Sequence, residues 1–250
     1  MQKKTRRPRN TNFRLEPRRR PVVHLLGEAP DIDLTERVLY RDPMVLVIDK
    51  PAGLPVHAGP SGGPNLEAGL ASLMFEAKDR PALAHRLDRD TAGCLALGRG
   101  EKGLKRLGRL FREGLVGKVY WAVVEGGPVD DRGEVTAPLL KTNTTAGWRV
   151  DIDAAGKPAR TRWQVLGRGD GFAWMAFQPA TGRTHQVRVH AASLGCPIVG
   201  DTQYGATVAA PMHLLARSLT LPLYQERPPV VVEADPPDHM RKRLRALGWR

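Results

Sequence analysis

His85-Arg86-Leu87-Asp88-Arg89-Asp90-Thr91-Ala92-Gly93 runs directly into Cys94-Leu95-Ala96-Leu97, so a charged loop ends in a short apolar strand. Upstream, Val38-Leu39-Tyr40 and Met44-Val45-Leu46-Val47-Ile48 flank Asp42-Pro43 and predict two strands around a turn. Glycines and prolines over 51–64 then predict a long loop, and Asn65 is placed to cap a helix running to about Phe75, with Leu66, Leu70 and Leu73 on one face. Downstream, residues 101–114 have helical spacing: Leu104, Leu107 and Leu110–Phe111 form one face and Lys102, Lys105, Arg106, Arg109 and Arg112 the other. Strands follow over 119–124, 133–140, 147–153, 159–167 and 172–178, then a helix over 183–194, strands over 213–221 and 229–234, and a short basic helix over 237–247. Many strands with few helices between them predict an α+β fold, a mixed, largely antiparallel sheet with flanking helices, rather than regular βαβ alternation.

The 250 residues are 41% hydrophobic, enough for a packed core, which excludes a disordered or fibrous class for most of the chain. Two cysteines are too few for a disulfide framework and show no CxxC spacing. No apolar run approaches the roughly 18 residues of a membrane span, and the basic N-terminus lacks the apolar stretch of a secretory signal. The expectation is a cytoplasmic, monomeric protein without membrane contact.

With 39 Lys+Arg against 26 Asp+Glu the net charge is +13, which points to a polyanionic partner, nucleic acid first. Its distribution says more. Residues 1–20 hold nine Lys/Arg and one acid, and residues 241–250 hold five and none, which leaves the body neutral. Within that body, 80–120 carries ten basic residues against four acidic and 157–190 six against one. The chain is expected to divide into a basic, flexible extension over 1–35, one domain over 36–236 and a basic tail over 237–250.

The chemistry-bearing residues lie in the two cation-rich stretches. Asp88 sits between Arg86 and Arg89, and cationic neighbours favour a charged carboxylate, as a nucleophile or base requires. Alone, the pattern is that of an ordinary surface ion-pair network. In Gly117-Lys118-Val119-Tyr120-Trp121-Ala122-Val123-Val124-Glu125-Gly126, strand alternation puts Lys118, Tyr120 and Ala122 on one face. There Tyr120 could stack a base while Lys118 meets a phosphate, although a core or rim tyrosine is the commoner case. In Thr181-Gly182-Arg183-Thr184-His185-Gln186-Val187-Arg188-Val189-His190, a helix beginning near Gly182 sets Thr184 and Arg188 one turn apart, with Arg188 a rigidly mounted cation. A metal site on His185 and His190 is disfavoured, because an i,i+5 spacing does not place both on one helical face.

Together these segments, in this order, resemble the RluA-type pseudouridine synthase family, with its HRLDxxTxG loop, KxYxAxVxG strand and GRTHQxRxHxxxxGxPIxGDxxYG segment. Gly195-Cys196-Pro197-Ile198-Val199-Gly200-Asp201-Thr202-Gln203-Tyr204-Gly205 completes the last, and Asp49-Lys50-Pro51-Ala52-Gly53-Leu54-Pro55-Val56-His57 is similar to the family's KPxGxxVH segment. The resemblance covers roughly 36–235, and Ala92-Gly93-Cys94 stands where serine-glycine-leucine is commoner.

The resemblance implies a pseudouridine synthase catalytic fold and isomerisation of uridine in rRNA or tRNA without metal or cofactor. It also implies that Asp88 is the essential aspartate, Tyr120 the tyrosine stacking on uracil, and Arg188 the cation paired with the aspartate. Arg86 would wedge into the space left by the flipped nucleotide. Arg183, His185 and Gln186 would hold the motif together or meet RNA backbone, and Arg89 and Lys118 are further RNA contacts. Two other classes use the same residues. A non-catalytic RNA-binding or ribosome-assembly protein would need no carboxylate among cations, and a glycosidase-like hydrolase would pair Asp88 with Asp90 or Asp201.

Overall fold

The computed structural model describes residues 31, 33–59, 62–144 and 147–250. The basic extension expected over 1–35 lies outside the described residues up to position 30, as do Pro60 and Ser61 of the first long loop. β1 (Val38–Arg41) and β2 (Val45–Lys50) form an antiparallel hairpin. Asp42 builds its turn: Oδ1 accepts the Met44 and Val45 N–H groups at 2.7 Å, and Oδ2 accepts the hydroxyls of Tyr40 and Tyr224 at 2.8 Å. Asn65 caps α1 (Leu66–Gly69), its Oδ1 accepting the Ala68 N–H at 3.1 Å. The helix expected to reach Phe75 instead tightens into a 3₁₀ turn over Leu70–Leu73. In that turn residues three apart eclipse, so Leu70 and Leu73 stay together in the core with Leu66.

β3 (Ala82–Leu83) and β4 (Ala92–Gly98) flank the charged loop, and α2 (Gly100–Arg112) follows. Leu107 and Leu110 of α2 are fully buried, each worth about 1.5–3 kcal/mol in apolar area removed from water. β5 (Gly117–Glu125) comes next, then β6 (Arg132–Thr136), β7 (Leu139–Thr144), β8 (Gly147–Ile152), β9 (Arg160–Gly169) and β10 (Phe172–Pro179). The single strand expected over 133–140 is two, in different sheets, because Pro138 has no N–H to continue a ladder.

α3 (Gln186–Ser193), β11 (Leu214–Leu221), β12 (Val230–Glu233) and α4 (Asp238–Ala246) complete the chain. Met240 and Leu244 of α4, with Leu247, are buried in the same cluster as β2, β4 and β11, so this basic end packs into the body through its apolar side. No described helix is long and apolar enough to cross a membrane.

Among the described residues the main sheet has ten strands in the order β1-β2-β4-β11-β5-β10-β9-β6, with β12 on β11 and β3 on β4; β7 and β8 pair separately. All pairings are antiparallel except β4 with β11. The fold is the expected α+β arrangement. On β5 the alternation is as read from sequence: Tyr120 and Ala122 meet one core, while Trp121 and Val123 meet the other.

The parallel join places the functional loop. Ala216 of β11 pairs with Gly93 at the start of β4 and with Tyr120 of β5. Gly93 has φ +105°, and a Cβ there would stand 2.4 Å from the Ala216 carbonyl oxygen. Only glycine lets the chain leave the charged loop this close to β11. Gly93→Ala is expected to lower stability by roughly 2–4 kcal/mol, combining left-handed strain with a steric clash, as measured by urea denaturation.

Candidate active site

The loop between β3 and β4 is held from below and from both sides. Leu87 is buried in the core, next to exposed Arg86 and half-buried Asp88. His85 accepts the Ala96 N–H at Nε2 (2.8 Å) and stacks on Phe111 with centroids 4.1 Å apart. Burial pulls its pKa down to about 3, so it serves as a neutral acceptor. On the other side the Lys50 ammonium is fully buried and donates to the carbonyls of Pro51, Leu54 and Arg89 at 2.7–2.9 Å. Gly53 N–H also donates to the Arg89 carbonyl, at 2.9 Å. The Lys50–Gly53 segment thereby clamps the backbone one residue past Asp88. Burial lowers the Lys50 pKa to about 8, against the pull of Asp90 and Asp88.

Arg188 approaches from α3. Its Nη1 lies 3.5 Å from Asp88 Oδ2, while Nε and Nη2 grip Asp201 Oδ2 and Oδ1 at 2.6 and 2.7 Å. Nη2 also donates to Gln203 Oε1 at 3.1 Å, and the guanidinium lies 5.0 Å over the Tyr204 ring. The side chains of Arg188 and Asp201 are 11% and 1% exposed, so the bidentate pair is nearly dry. Burial opposes the Arg188 charge, but the hydrogen bonds and charge of Asp201, with Asp88 behind them, raise its pKa further. His185 brings Nε2 to 3.8 Å from the same Asp88 oxygen, and burial lowers its pKa to about 4.

The helix expected from near Gly182 starts only at Gln186, so Thr184 and Arg188 are not one helical turn apart as expected. His185, at φ +54°, breaks the helical path. Gln186 explains the turn: its Oε1 accepts the Thr181 hydroxyl at 2.7 Å and the Arg183 N–H at 3.0 Å, and its Nε2 donates to Arg160 O and Thr161 Oγ1. His190 is fully buried, with Nδ1 on the Thr161 hydroxyl and Nε2 near the Ala137 carbonyl, away from the partners of His185. No group of three or more His, Cys, Asp or Glu among the described residues could hold a metal ion.

Around these groups lies a cavity of about 640 Å³, lined by Arg86, Asp88, Tyr120, Arg188, Lys118 and Arg183 among others. That is within the size range of small-ligand sites, roughly 300–1,000 Å³. Burial and then the Asp88 charge push the Tyr120 phenol well above its ordinary pKa, so it stays protonated. Lys118 donates to the Thr181 carbonyl at 2.9 Å, and burial lowers its pKa to about 8. Arg183 is exposed, with Nε on the Pro158 carbonyl at 3.1 Å.

Gln186 and Arg89 have their side chains engaged within the protein. Gln186 lines the cavity but is 4% exposed and committed to its internal bonds, so it holds the turn together. Arg89 is outside the cavity lining and pairs with Asp90 at the surface, Nε to Oδ1 at 3.1 Å. Sequence reasoning missed Asp201 as the anchor of Arg188, Lys50 as the clamp of the loop, and Tyr204 beside His185. Each stands within a motif that was read, but the motifs do not say which side chains meet.

A family model described as RNA pseudouridylate synthase matches residues 44–193. An uncharacterized RNA pseudouridine synthase of Zymomonas mobilis is 47% identical over 209 residues, covering 82% of this chain and 95% of its own. A mitochondrial pseudouridylate synthase of Xenopus tropicalis is 33% identical, covering 86% and 81%. The ribosomal large subunit pseudouridine synthase C of Rickettsia conorii is 38% identical over 173 residues, 68% of this chain and 57% of its own. Among solved structures, human RNA pseudouridylate synthase domain containing 4 superposes with a TM-score of 0.74 at 28% identity, covering 86% of this chain and 94% of that one. A fold that converges a carboxylate, a tyrosine and an anchored arginine on one cavity thus coincides with these likenesses, and the chain belongs to the RluA-type family of RNA pseudouridine synthases.

Proposed function

We propose that this protein isomerises specific uridines of structured RNA, rRNA or tRNA, to pseudouridine, with Asp88 as the catalytic carboxylate, acting as a cytoplasmic monomer without a cofactor. The observation that carries the reading is the convergence on the cavity of Asp88, the Asp201-anchored Arg188 and the Tyr120 ring. Likeness to the ribosomal large subunit pseudouridine synthase C of Rickettsia conorii favours large-subunit rRNA.

The reaction breaks N1–C1′, turns the uracil and joins C5 to C1′; the C5 proton leaves and N1 gains one, so nothing is consumed. The reacting bond is inaccessible in a stacked helix, so the uridine must be extruded into the cavity. Asp88, in the cavity lining, acts on the extruded uridine, whether it adds to the sugar, adds to the base or removes a sugar proton. Arg188 balances the carboxylate charge without transferring a proton, since a guanidinium does not deprotonate in proteins. Tyr120 offers its ring to the uracil. Arg86, exposed and among the residues lining the cavity, fills the gap left in the RNA, and Lys118 and Arg183 supply cations for the backbone.

The hydrolase reading finds no support in the geometry. Asp201 has both oxygens on Arg188, and Asp90 faces Arg89 outside the cavity lining. A pure RNA binder would keep two carboxylates around Arg188 at a desolvation cost with no return.

Asp88→Asn is expected to abolish pseudouridine formation, read by a pseudouridine-specific chemical assay, while melting temperature and RNA affinity stay at wild-type values; full activity would refute the assignment. Arg188→Ala should lower turnover about 100-fold or more, as loss of a preorganised charge partner does. Normal turnover there would move the pairing role to another cation. Asp201→Asn keeps the size of the anchor but removes its charge, and should cost about 10- to 100-fold in turnover with little change in RNA affinity. Mapping pseudouridines in rRNA and tRNA of a strain lacking the gene identifies the target.

A further inference from the structure

Tyr204 lies in a 3₁₀ turn (Thr202–Tyr204) just past Asp201 and is 8% exposed. Its hydroxyl oxygen accepts the Val150 N–H from β8 at 3.1 Å and lies 2.8 Å from Nδ1 of His185. The His185 ring is enclosed: Tyr204 meets it edge-on at 5.6 Å between centroids, Trp148 packs on it at 4.9 Å, and its side chain is 8% exposed. Its far nitrogen, Nε2, faces Asp88 Oδ2. The backbone at His185 is left-handed, at φ +54°, a conformation that a non-glycine residue keeps only where its surroundings impose it.

Which nitrogen of His185 carries the proton follows from this chain of contacts. Burial raises the Tyr204 pKa, so the phenol keeps its hydrogen and needs an acceptor. The Val150 N–H already occupies one lone pair of the oxygen, and His185 Nδ1 is the acceptor within reach. The ring is neutral near pH 7, because burial brings its pKa to about 4. With Nδ1 accepting, the single ring proton sits on Nε2 and points to the carboxylate.

We propose that Tyr204 is a positioning residue for the isomerisation: by donating its hydroxyl hydrogen to Nδ1 of His185, it fixes the Nε2–H tautomer, whose N–H faces Oδ2 of Asp88. This rests on the reading of Asp88 as the catalytic carboxylate. Oδ2 then has two donors opposite it, Arg188 Nη1 at 3.5 Å and His185 Nε2 at 3.8 Å, which leaves Oδ1 to meet the ribose. Both distances are long for formed hydrogen bonds, and such contacts shorten as charge develops in the reacting complex. The other tautomer would set a lone pair against the carboxylate and push it out of line.

The test uses the full-length protein and, as substrate, total RNA from a strain lacking the gene. Tyr204→Phe keeps the ring and removes the hydroxyl. It should lower the maximal rate of pseudouridine formation about 10- to 100-fold, the effect of losing one charge-directed hydrogen bond, with the half-saturating RNA concentration nearly unchanged. His185→Gln, whose amide N–H can stand where Nε2 stood, should retain more activity than His185→Asn, whose amide matches Nδ1. Adding Tyr204→Phe to His185→Gln should cost no further turnover, because Tyr204 acts on Asp88 only through the imidazole; the lost bond from the Val150 N–H lowers the melting temperature alike in both backgrounds. Nitrogen-15 spectra of the wild type should show the His185 proton on Nε2, and Tyr204→Phe should mix the tautomers.

A fully active Tyr204→Phe, an equal loss of turnover in both backgrounds, or a wild-type proton on Nδ1 would each overturn the inference while leaving the proposed function standing. A wild-type protein that modifies no uridine in that RNA would overturn the reading of Asp88 and this inference with it.

Discussion

The Arg188–Asp201 pair is the contact on which the site depends. Two nitrogens of the guanidinium are taken by one carboxylate at 2.6 and 2.7 Å, and the group's rigid plane then fixes where the third nitrogen points. That nitrogen points at Asp88, 100 residues away in sequence. A nearly dry ion pair carries a desolvation cost, so it adds little to stability by itself. What it supplies is direction, since a cation immobilised by Asp201 is held facing Asp88; under the proposed function it need not be reoriented when charge moves there.

The Asp88 loop and Tyr120, which face this pair, are assembled around one strand. β11 joins β4 in parallel and β5 in antiparallel fashion, and Ala216 meets Gly93 on one side and Tyr120 on the other. The loop ending at Gly93 and the ring of Tyr120 are therefore registered against each other through backbone. Lys50 and Gly53 fasten the loop's other flank to the end of β2 by hydrogen bonds to the Arg89 carbonyl. Gln186 performs the same service for the turn before α3, with partners on β9 and in the Thr181–Arg183 segment. Of the converging groups only Asp88 sits on a loop, with Tyr120 on β5 and Arg188 on α3, and that loop is tied on both flanks to the sheet, which is how a loop residue keeps an accurate position.

Charge is distributed to match. The excess cations gather at the chain ends, and the body is neutral overall. Within it, cations and anions are paired close to the cavity, and burial makes each pairing specific. Burial lowers His185 and Lys118 and raises Tyr120, so the cavity presents a neutral imidazole, a protonated phenol and a lysine near its titration point around one carboxylate.

The sequence by itself determined most of the strand and helix order, though not β3 or the break at Pro138, together with the alternation on β5, the cap at Asn65, the cationic stretches and the three motifs, because each is written in local periodicity or in residue type at fixed spacing. It also brought Asp88, Tyr120 and Arg188 together, by resemblance rather than by spacing. Tertiary structure decided what local pattern cannot encode. It chose Asp201 as the anchor of Arg188, a pairing that no motif spacing specifies. It paired Arg89 with Asp90 at the surface, and of the two roles open to Gln186 it shows the bonds that hold the motif together. It broke the helix at His185, because the bonds of Gln186 and the packing of Trp148 and Tyr204 outweigh the helical preference of the flanking residues. Local sequence limits which residues can do chemistry; which of them meet depends on contacts between strands far apart in the chain, and there the packing and the cost of burying an unpaired charge decide.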